Sequence, residues 1–452
     1  MKHKMIKTSL MALAFFAGTA QAAVSADEAA ALGKTLTPIG AEKAGNKDGS
    51  IPAWDGGLVK AQPGFKPGGH YPDPYSSDKP LFTITAANAE QYKDKLSPGQ
   101  IALLKRYADW KMVVYPTRRS AGYPQKWYDE SIANATKVNL VGGGNGFTGS
   151  SDGTPFPIPK NGQEAIWNHL TIYKGDTYAT SWAQAPVTQG GDFNLVRFDY
   201  EYDFTYGNQK KTPAQREGNL LFYFLQIIKD PPRLAGGILL VHEYADQVTQ
   251  PRKAWTYSPG QRRVRLAPSV AYDNPGTASD GLRTNDDFNM FNGATDRYDW
   301  KLVGKKEMFI PYNGYKLNGP SLKLKEVLKP GHINGDHARY ELHRVWVVEA
   351  TLKPGTSHVY KRRTMYLDED SWTVAVSDKY DNRDQLWRVS EMHRIQYYDV
   401  PFLGPGPEVH HDLQSGRYIA MQLFNEENVL YKPVNRTPAD FTPDALRSKG
   451  TR

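Results

Sequence analysis

The sequence predicts a β-rich α+β protein: a curved antiparallel sheet, a half-barrel, wrapped around helices, with a loop-rich N-terminal portion. Three observations predict it. From about Asp192 to residue 432, strand-length apolar runs follow one another with local turns between them, not long amphipathic helices. The chain carries 27 Tyr and 10 Trp, which favour pleated, half-buried surfaces and flat apolar binding faces. Its 40 Gly and 31 Pro are spread throughout, so loops should be many and long.

The elements follow in order. Residues 1–22 read as a secretory leader. Lys2, Lys4 and Lys7 form its basic start, Leu10 to Ala17 its short apolar core, and Ala20-Gln21-Ala22 its cleavage site. The expected address is the bacterial periplasm, which excludes most functions built on ATP, NAD or chromosomal DNA. The whole chain has a formal net charge of +8, and the leader holds three of its lysines. The remaining excess is mild and interspersed with acids, which argues against a nucleic-acid footprint. There is no cysteine, so disulfides and thiolate metal sites are excluded.

Residues 23–190 read as a loop-rich portion with short helices, continuous with the β-rich portion 191–452 in one domain. Ser25 caps helical composition over Asp27–Leu36. Ser97-Pro98 opens a helix with Ile101, Leu104, Ala108 and Met112 on one side. Helices are expected over Gln125–Ala135 and Gln163–His169. Val141 to Gly146 is glycine-rich but lacks the Lys-Ser/Thr of a phosphate loop, so it reads as a flexible loop.

In the second portion, Phe193–Thr205 reads as strand. Leu220–Ile228 and Gly237–Tyr244 form a hairpin around Pro231-Pro232. Ala254–Tyr257 and Arg262–Leu266 form another around Ser258-Pro259-Gly260-Gln261. Val345–Leu352 alternates between two faces. Tyr360–Leu367 and Trp372–Tyr380 make a further hairpin, followed by strands in Gln385–Tyr398 and Arg417–Phe424.

Catalytic signatures are sparse. No His-Glu-x-x-His occurs, and Asp368, Glu369 and Asp370 fall in an expected turn, where acids are common anyway. The histidines His332, His337 and His343 near Asp336 are spaced five and six apart, which matches no familiar zinc pattern; His410-His411-Asp412 is a second cluster. The reading is therefore no enzyme, no metal and no cofactor.

The candidate ligand site is built from the strand aromatics Trp255, Tyr257, Trp300, Trp346, Trp372 and Trp387. Arg262, Arg263 and Arg265 are placed at its rim to hold an anionic head group. Lys361, Arg362 and Arg363 admit the same role or that of a solvated strand edge.

Four ordered motifs carry a family resemblance. They are Leu36–Ala41 with Ala44-Gly45-Asn46 and Asp48–Trp54, Asp230–Gly236, Ala254–Arg265, and Phe291-Asn292-Gly293 with Asp296–Gly304. With these the chain resembles the bacterial periplasmic domain-of-unknown-function 1329 family, whose members are often labelled outer-membrane lipoprotein-sorting proteins. The resemblance implies a LolA/LolB-like curved sheet around helices. It also implies a hydrophobic or lipid-like ligand, and partners among outer-membrane proteins and proton-driven exporters. It supplies no catalytic residues. The expected function is a periplasmic carrier or adaptor for a hydrophobic molecule. The alternatives are a glycan-binding protein or polysaccharide-active enzyme, expected to show an open groove with paired acids, and a structural subunit without ligand.

Overall fold

The computed structural model describes residues 24–150, 152–212, 218–267, 270 and 272–450. The expected leader, residues 1–22, lies outside them. The strands are β1 (Phe82–Ile84), β2 (Met112–Val114), β3 (Asn139–Val141), β4 (Gly146–Thr148), β5 (Thr177–Val187), β6 (Val196–Phe204), β7 (Leu220–Asp230), β8 (Ile238–Tyr244), β9 (Lys253–Ser258), β10 (Arg263–Leu266), β11 (Tyr298–Pro311), β12 (Tyr340–Leu352), β13 (Arg362–Asp368), β14 (Val374–Tyr380), β15 (Leu386–Met392), β16 (Ile395–Tyr397), β17 (Phe402–Gly404), β18 (Glu408–Asp412), β19 (Tyr418–Leu423) and β20 (Lys432–Pro433). The helices are α1 (Ala26–Ala29), α2 (Pro98–Arg106), α3 (Gln125–Asn134), α4 (Gly162–Leu170), α5 (Tyr315–Asn318), α6 (Leu324–Val327) and α7 (Pro443–Gly450).

One sixteen-stranded sheet dominates. Its order is β1-β2-β12-β13-β14-β15-β18-β19-β5-β6-β7-β8-β9-β10, with β11 on β12 and β20 on β5. It does not close: β10 is a free edge. Nearly all pairs are antiparallel; β2 meets β12 in parallel at Val114 and Tyr340. β5, which precedes residue 190, sits in the middle of the sheet between β19 and β6.

The concave face encloses α3, α4 and the main core. Asn161 caps α4 by accepting from Glu164 N at 2.9 Å. The α4 residues Ala165, Ile166, Trp167 and Leu170 are all buried in that core. Each large apolar side chain placed there contributes roughly 1.5–3 kcal/mol. On the other face, Phe441 and Leu446 of the C-terminal segment cover Tyr223, Leu225, Leu240 and Tyr257. β7 is therefore covered on both faces, which is why its sequence is a near-continuous apolar run rather than an alternation.

Three expectations change. α1 ends at Ala29, although Ser25 forms the expected capping box. α2 ends at Arg106, so Ala108 and Met112 are not part of it; Met112 lies in β2. The glycine run is a tight β3–β4 hairpin in which Gly142, Gly143 and Gly144 take φ of 58°, 66° and 93°, a region that disfavours any side chain.

Helix α2 carries a titratable contact into the outer core. Its cap Ser97 and Gln100 form a capping box, and Gln100 Nε2 donates to Glu391 Oε1 at 2.9 Å. Tyr340 OH donates to the other Glu391 oxygen at 2.8 Å. Burial lifts the Glu391 carboxyl to about 7, against the Gln100 and Tyr340 bonds, which lower it. The folded chain thus holds a proton that the unfolded chain releases near its ordinary pKa of about 4.3. Stability contributed at this site falls as pH rises from about 4.5 to 7. Glu391→Gln removes that titration. Denaturant melts at pH 4.5 and pH 8 should show the variant gaining on the parent at the higher pH by on the order of 2 kcal/mol. A difference that does not change with pH would refute the assignment.

Candidate functional site

Alternate residues of four adjacent strands face the concave side together. Tyr178, Thr180 and Trp182 come from β5, Tyr202 and Phe204 from β6, Phe222, Phe224 and Gln226 from β7, and Leu239 and Val241 from β8. The period of two puts every one of them on the same face. Their rings form a cross-strand ladder. Trp182 stacks on Tyr200 at 4.4 Å, Tyr178 on Tyr202 at 5.2 Å, and Tyr202 on Phe204 at 5.6 Å. The acids between them, Asp199, Glu201 and Asp203, point the other way; Glu201 holds Arg436 and Lys449.

The ladder is one wall of a cavity of about 100 Å³. Leu403–Pro405 and Leu430–Tyr431 add to the wall, and the turn segment Asn285–Met290 supplies Asn285, Phe288 and Asn289. No carboxylate lines it among the described residues, but Lys174, Arg252, Arg283 and Arg394 do. Arg252 is paired with Glu243.

The turn segment is fixed by a buried polar network from the other half of the concave face. Asp286 accepts from Arg363 Nη2 at 2.6 Å and faces His358 Nε2 at 3.0 Å. Asp287 takes the Tyr360 hydroxyl at 2.8 Å and lies 2.7 Å from Lys379 Nζ. Glu408 accepts the backbone N–H groups of Asn289 and Met290 at 3.1 and 2.8 Å. Burial alone would lift the Asp287 carboxyl. The Lys379 and Arg363 cations outweigh it and hold the group well below the ordinary range. The sheet thus has two halves: an aromatic half that leaves space, and a charged half that pins the opposing wall.

None of the nine residues singled out in the sequence lines this cavity. Trp255 and Tyr257 pack with Leu446 on the opposite face of the sheet. Arg262 is in the turn at φ 50°, and Arg263 and Arg265 stand exposed on the free edge β10. Trp300 packs edge-on to Phe291 at 5.3 Å. Trp346 stacks on Trp372 at 6.0 Å, and Trp372 Nε1 donates to Ile39 O at 2.8 Å, which ties the first sequence motif to β13–β14. Trp387 donates to Asp412 at 3.0 Å beneath Arg388. Parity turns Trp255 and Tyr257 to the opposite face of β9, whereas Trp300, Trp346 and Trp372 pack with the main core away from this cavity. Of the second basic cluster, Arg363 is fully buried against Asp286. A visible signal for this cavity's aromatic wall was the strict aromatic–acid alternation Phe198-Asp-Tyr200-Glu-Tyr202-Asp-Phe204.

The histidine clusters do not assemble as grouped. His343 instead meets Asp368 and Asp370. That trio is already engaged: Asp370 by Arg119, Asp368 by Ser371 and Tyr312, and His343 by Glu341. One Gly-x-Ser-x-Gly pattern, Gly149 to Gly153, does occur. It follows β4 without leading into a helix, unlike a nucleophile turn, and its serine, Ser151, lies outside the described residues. Among the described residues no helix is long and apolar enough to cross a membrane.

Comparison with known proteins adds the following. Residues 83–447 match the family model described as a protein of unknown function, DUF1329. An uncharacterized protein of Pseudomonas aeruginosa is 53% identical over 450 residues, covering 99% of both chains. Among solved structures, a putative outer membrane lipoprotein-sorting protein domain from Vibrio parahaemolyticus is 14% identical, covers 60% of this chain and 92% of its own, and gives a TM-score of 0.41. A DUF1329 family protein from Desulfovibrio piger gives 19%, 60%, 91% and 0.40. A LolA superfamily protein from Nitrosomonas europaea gives 14%, 64%, 100% and 0.38.

Proposed function

The chain belongs to the DUF1329 family, and from that premise we propose that it is a periplasmic carrier or adaptor for a lipid-like molecule. The observation that carries the reading is the aromatic cavity between β5–β8 and the pinned turn segment. Binding there is passive: apolar surface leaves water and gains about 25 cal/mol per Å². An outer-membrane protein and a proton-driven exporter are the partners proposed, one giving up the cargo and the other receiving it. No chemical step is assigned to any residue.

Size limits the cargo. Ligand sites usually span about 300–1,000 Å³, and a cavity of about 150 Å³ takes one benzene. The present space of about 100 Å³ is therefore too small for a whole ring and fits part of a slender tail. A larger cargo requires the walls at Leu403–Pro405 and Leu430–Tyr431 to part. The absence of any lining carboxylate among the described residues weighs against the polysaccharide-enzyme alternative, which needs two.

The test is to purify the mature protein from the periplasm without detergent, extract it with organic solvent and analyse the extract by mass spectrometry. A stoichiometric hydrophobic compound is expected. Leu239→Trp, which places an indole in the cavity, should lower its occupancy at least tenfold. An empty parent that also fails to take up a fluorescent lipid analogue would overturn the carrier reading.

A further inference from the structure

We propose that the cargo is an anionic amphiphile whose acidic head docks on Arg283 and Arg394 at the wall of the aromatic cavity. This rests on the carrier reading and adds the charge of the ligand to it. Both residues line the cavity, and they are only 5% and 3% exposed.

An arginine offers five N–H donors. Arg283 uses one, to Thr284 O at 3.1 Å, and Arg394 uses one, to Asn289 Oδ1 at 3.0 Å. The Nε of each is buried with no acceptor. Neither forms an ion pair among the described residues. That is not how this chain treats its other buried arginines: Arg119 is matched to Asp370, Arg363 to Asp286 and Arg388 to Asp412. A buried charge without a partner is costly, and a fold that pairs five of its seven buried arginines among the described residues, Arg339 and Arg344 included, leaves two open for a reason.

Glu408 is the carboxylate whose field reaches both. Its oxygens are already taken by Asn289 N, Met290 N, Gln422 Nε2 and His410 Nε2. Lys174 lines the same cavity, and among the described residues its Nζ reaches only Leu170 O, at 3.4 Å. Burial lowers Arg394 to about 10, so it keeps its charge at neutral pH. Burial and the nearby Arg394 bring Lys174 to about 7, so an incoming anion would raise its charge. The donors are thus in place, desolvated, and beside an apolar ladder. A carboxylate or a phosphate on an alkyl or ring body satisfies both halves, and planar bidentate pairing with arginine favours either acid.

The test uses the mature protein and two fluorescent probes, 11-(dansylamino)undecanoic acid and its methyl ester, which, like any lipid-sized cargo, require the walls at Leu403–Pro405 and Leu430–Tyr431 to part. The acid should bind at least tenfold more tightly than the ester, as for about one charge-assisted hydrogen bond. In Arg283→Gln and Arg394→Gln the acid should weaken toward the ester while the ester is unchanged. Dodecanoate or dodecyl phosphate should displace the acid better than dodecanol does, and their order identifies the head group. Equal binding of acid and ester overturns the anionic head and leaves the carrier standing. A preference that survives both substitutions overturns the assignment to these arginines. Failure of both probes overturns the carrier reading and this one with it. Should a variant not fold, the acid-to-ester ratio and the competitor order in the unaltered protein decide.

Discussion

Lys379→Met is expected to destabilise the protein by about 3–5 kcal/mol, the usual result of removing one partner from a fully buried ion pair. Lys379 and Asp287 are both inaccessible, and their 2.7 Å contact joins β14 to the turn segment that walls the cavity. Without the ammonium, the Asp287 carboxylate keeps the Tyr360 hydroxyl but loses its nearest cation. The pH dependence gives a second check. Asp287 is held below its ordinary value when folded, so its contribution is complete above an unfolded pKa of about 3.9 and disappears as pH falls. The gap between parent and variant should be widest above pH 5 and narrow below about pH 4. Adding Asp287→Asn should recover part of the loss. Thermal melts across that range measure all three, and a variant as stable as the parent at pH 7 would show that the turn segment is held by something else. The same substitution should loosen the cavity wall and raise the off-rate of any bound probe.

Arg119→Met should cost a similar amount, about 3–5 kcal/mol. Arg119 is the clasp between the N-terminal segment and the β13–β14 turn. It donates to both Asp370 oxygens at 2.8 and 2.6 Å, to Glu42 O at 2.7 Å, and to Lys43 O and Pro52 O at 3.3 Å. Its loss leaves Asp368, Glu369 and Asp370 buried side by side. Burial and the neighbouring Asp370 already lift Asp368 to about 6. With the guanidinium gone, Asp368 and Glu369, both already lifted by burial and by Asp370, should take up protons more readily, so the variant should recover stability as pH falls from 7 toward 5. Arg119→Met combined with Asp370→Leu replaces the pair by apolar groups and should be closer to the parent than the single variant. Limited proteolysis should cut the N-terminal segment 37–54 faster in the single variant. Unchanged proteolysis and melting would show that the clasp is dispensable.

Much of the sheet was legible because its strands carry their own turn chemistry. The β7–β8 hairpin is marked by Pro231-Pro232, and β9–β10 by Ser258-Pro259-Gly260. α2 is marked by Ser97-Pro98 and its capping box. β11, at fourteen residues the longest strand, was not legible. Its first half is largely unburied and rich in charge, and a register shift beside Gly304 breaks the alternation. The aromatic ladder was written in the alternation of β6. The unpaired arginines were not, because lone Arg residues far apart in sequence have no local signature.

The amino-acid sequence by itself determined the β-rich class, the order of most hairpins, the helix caps and the family motifs. These depend on backbone preferences and side chains within a few residues of one another. The tertiary structure decided which parity of each strand faces the cavity, sending Trp255 and Tyr257 to the opposite face and Trp182 and Phe224 inward. It also decided which cations meet carboxylates and which do not. Both outcomes are sums over strands remote in sequence, set by register and burial, and no short window of the chain contains them.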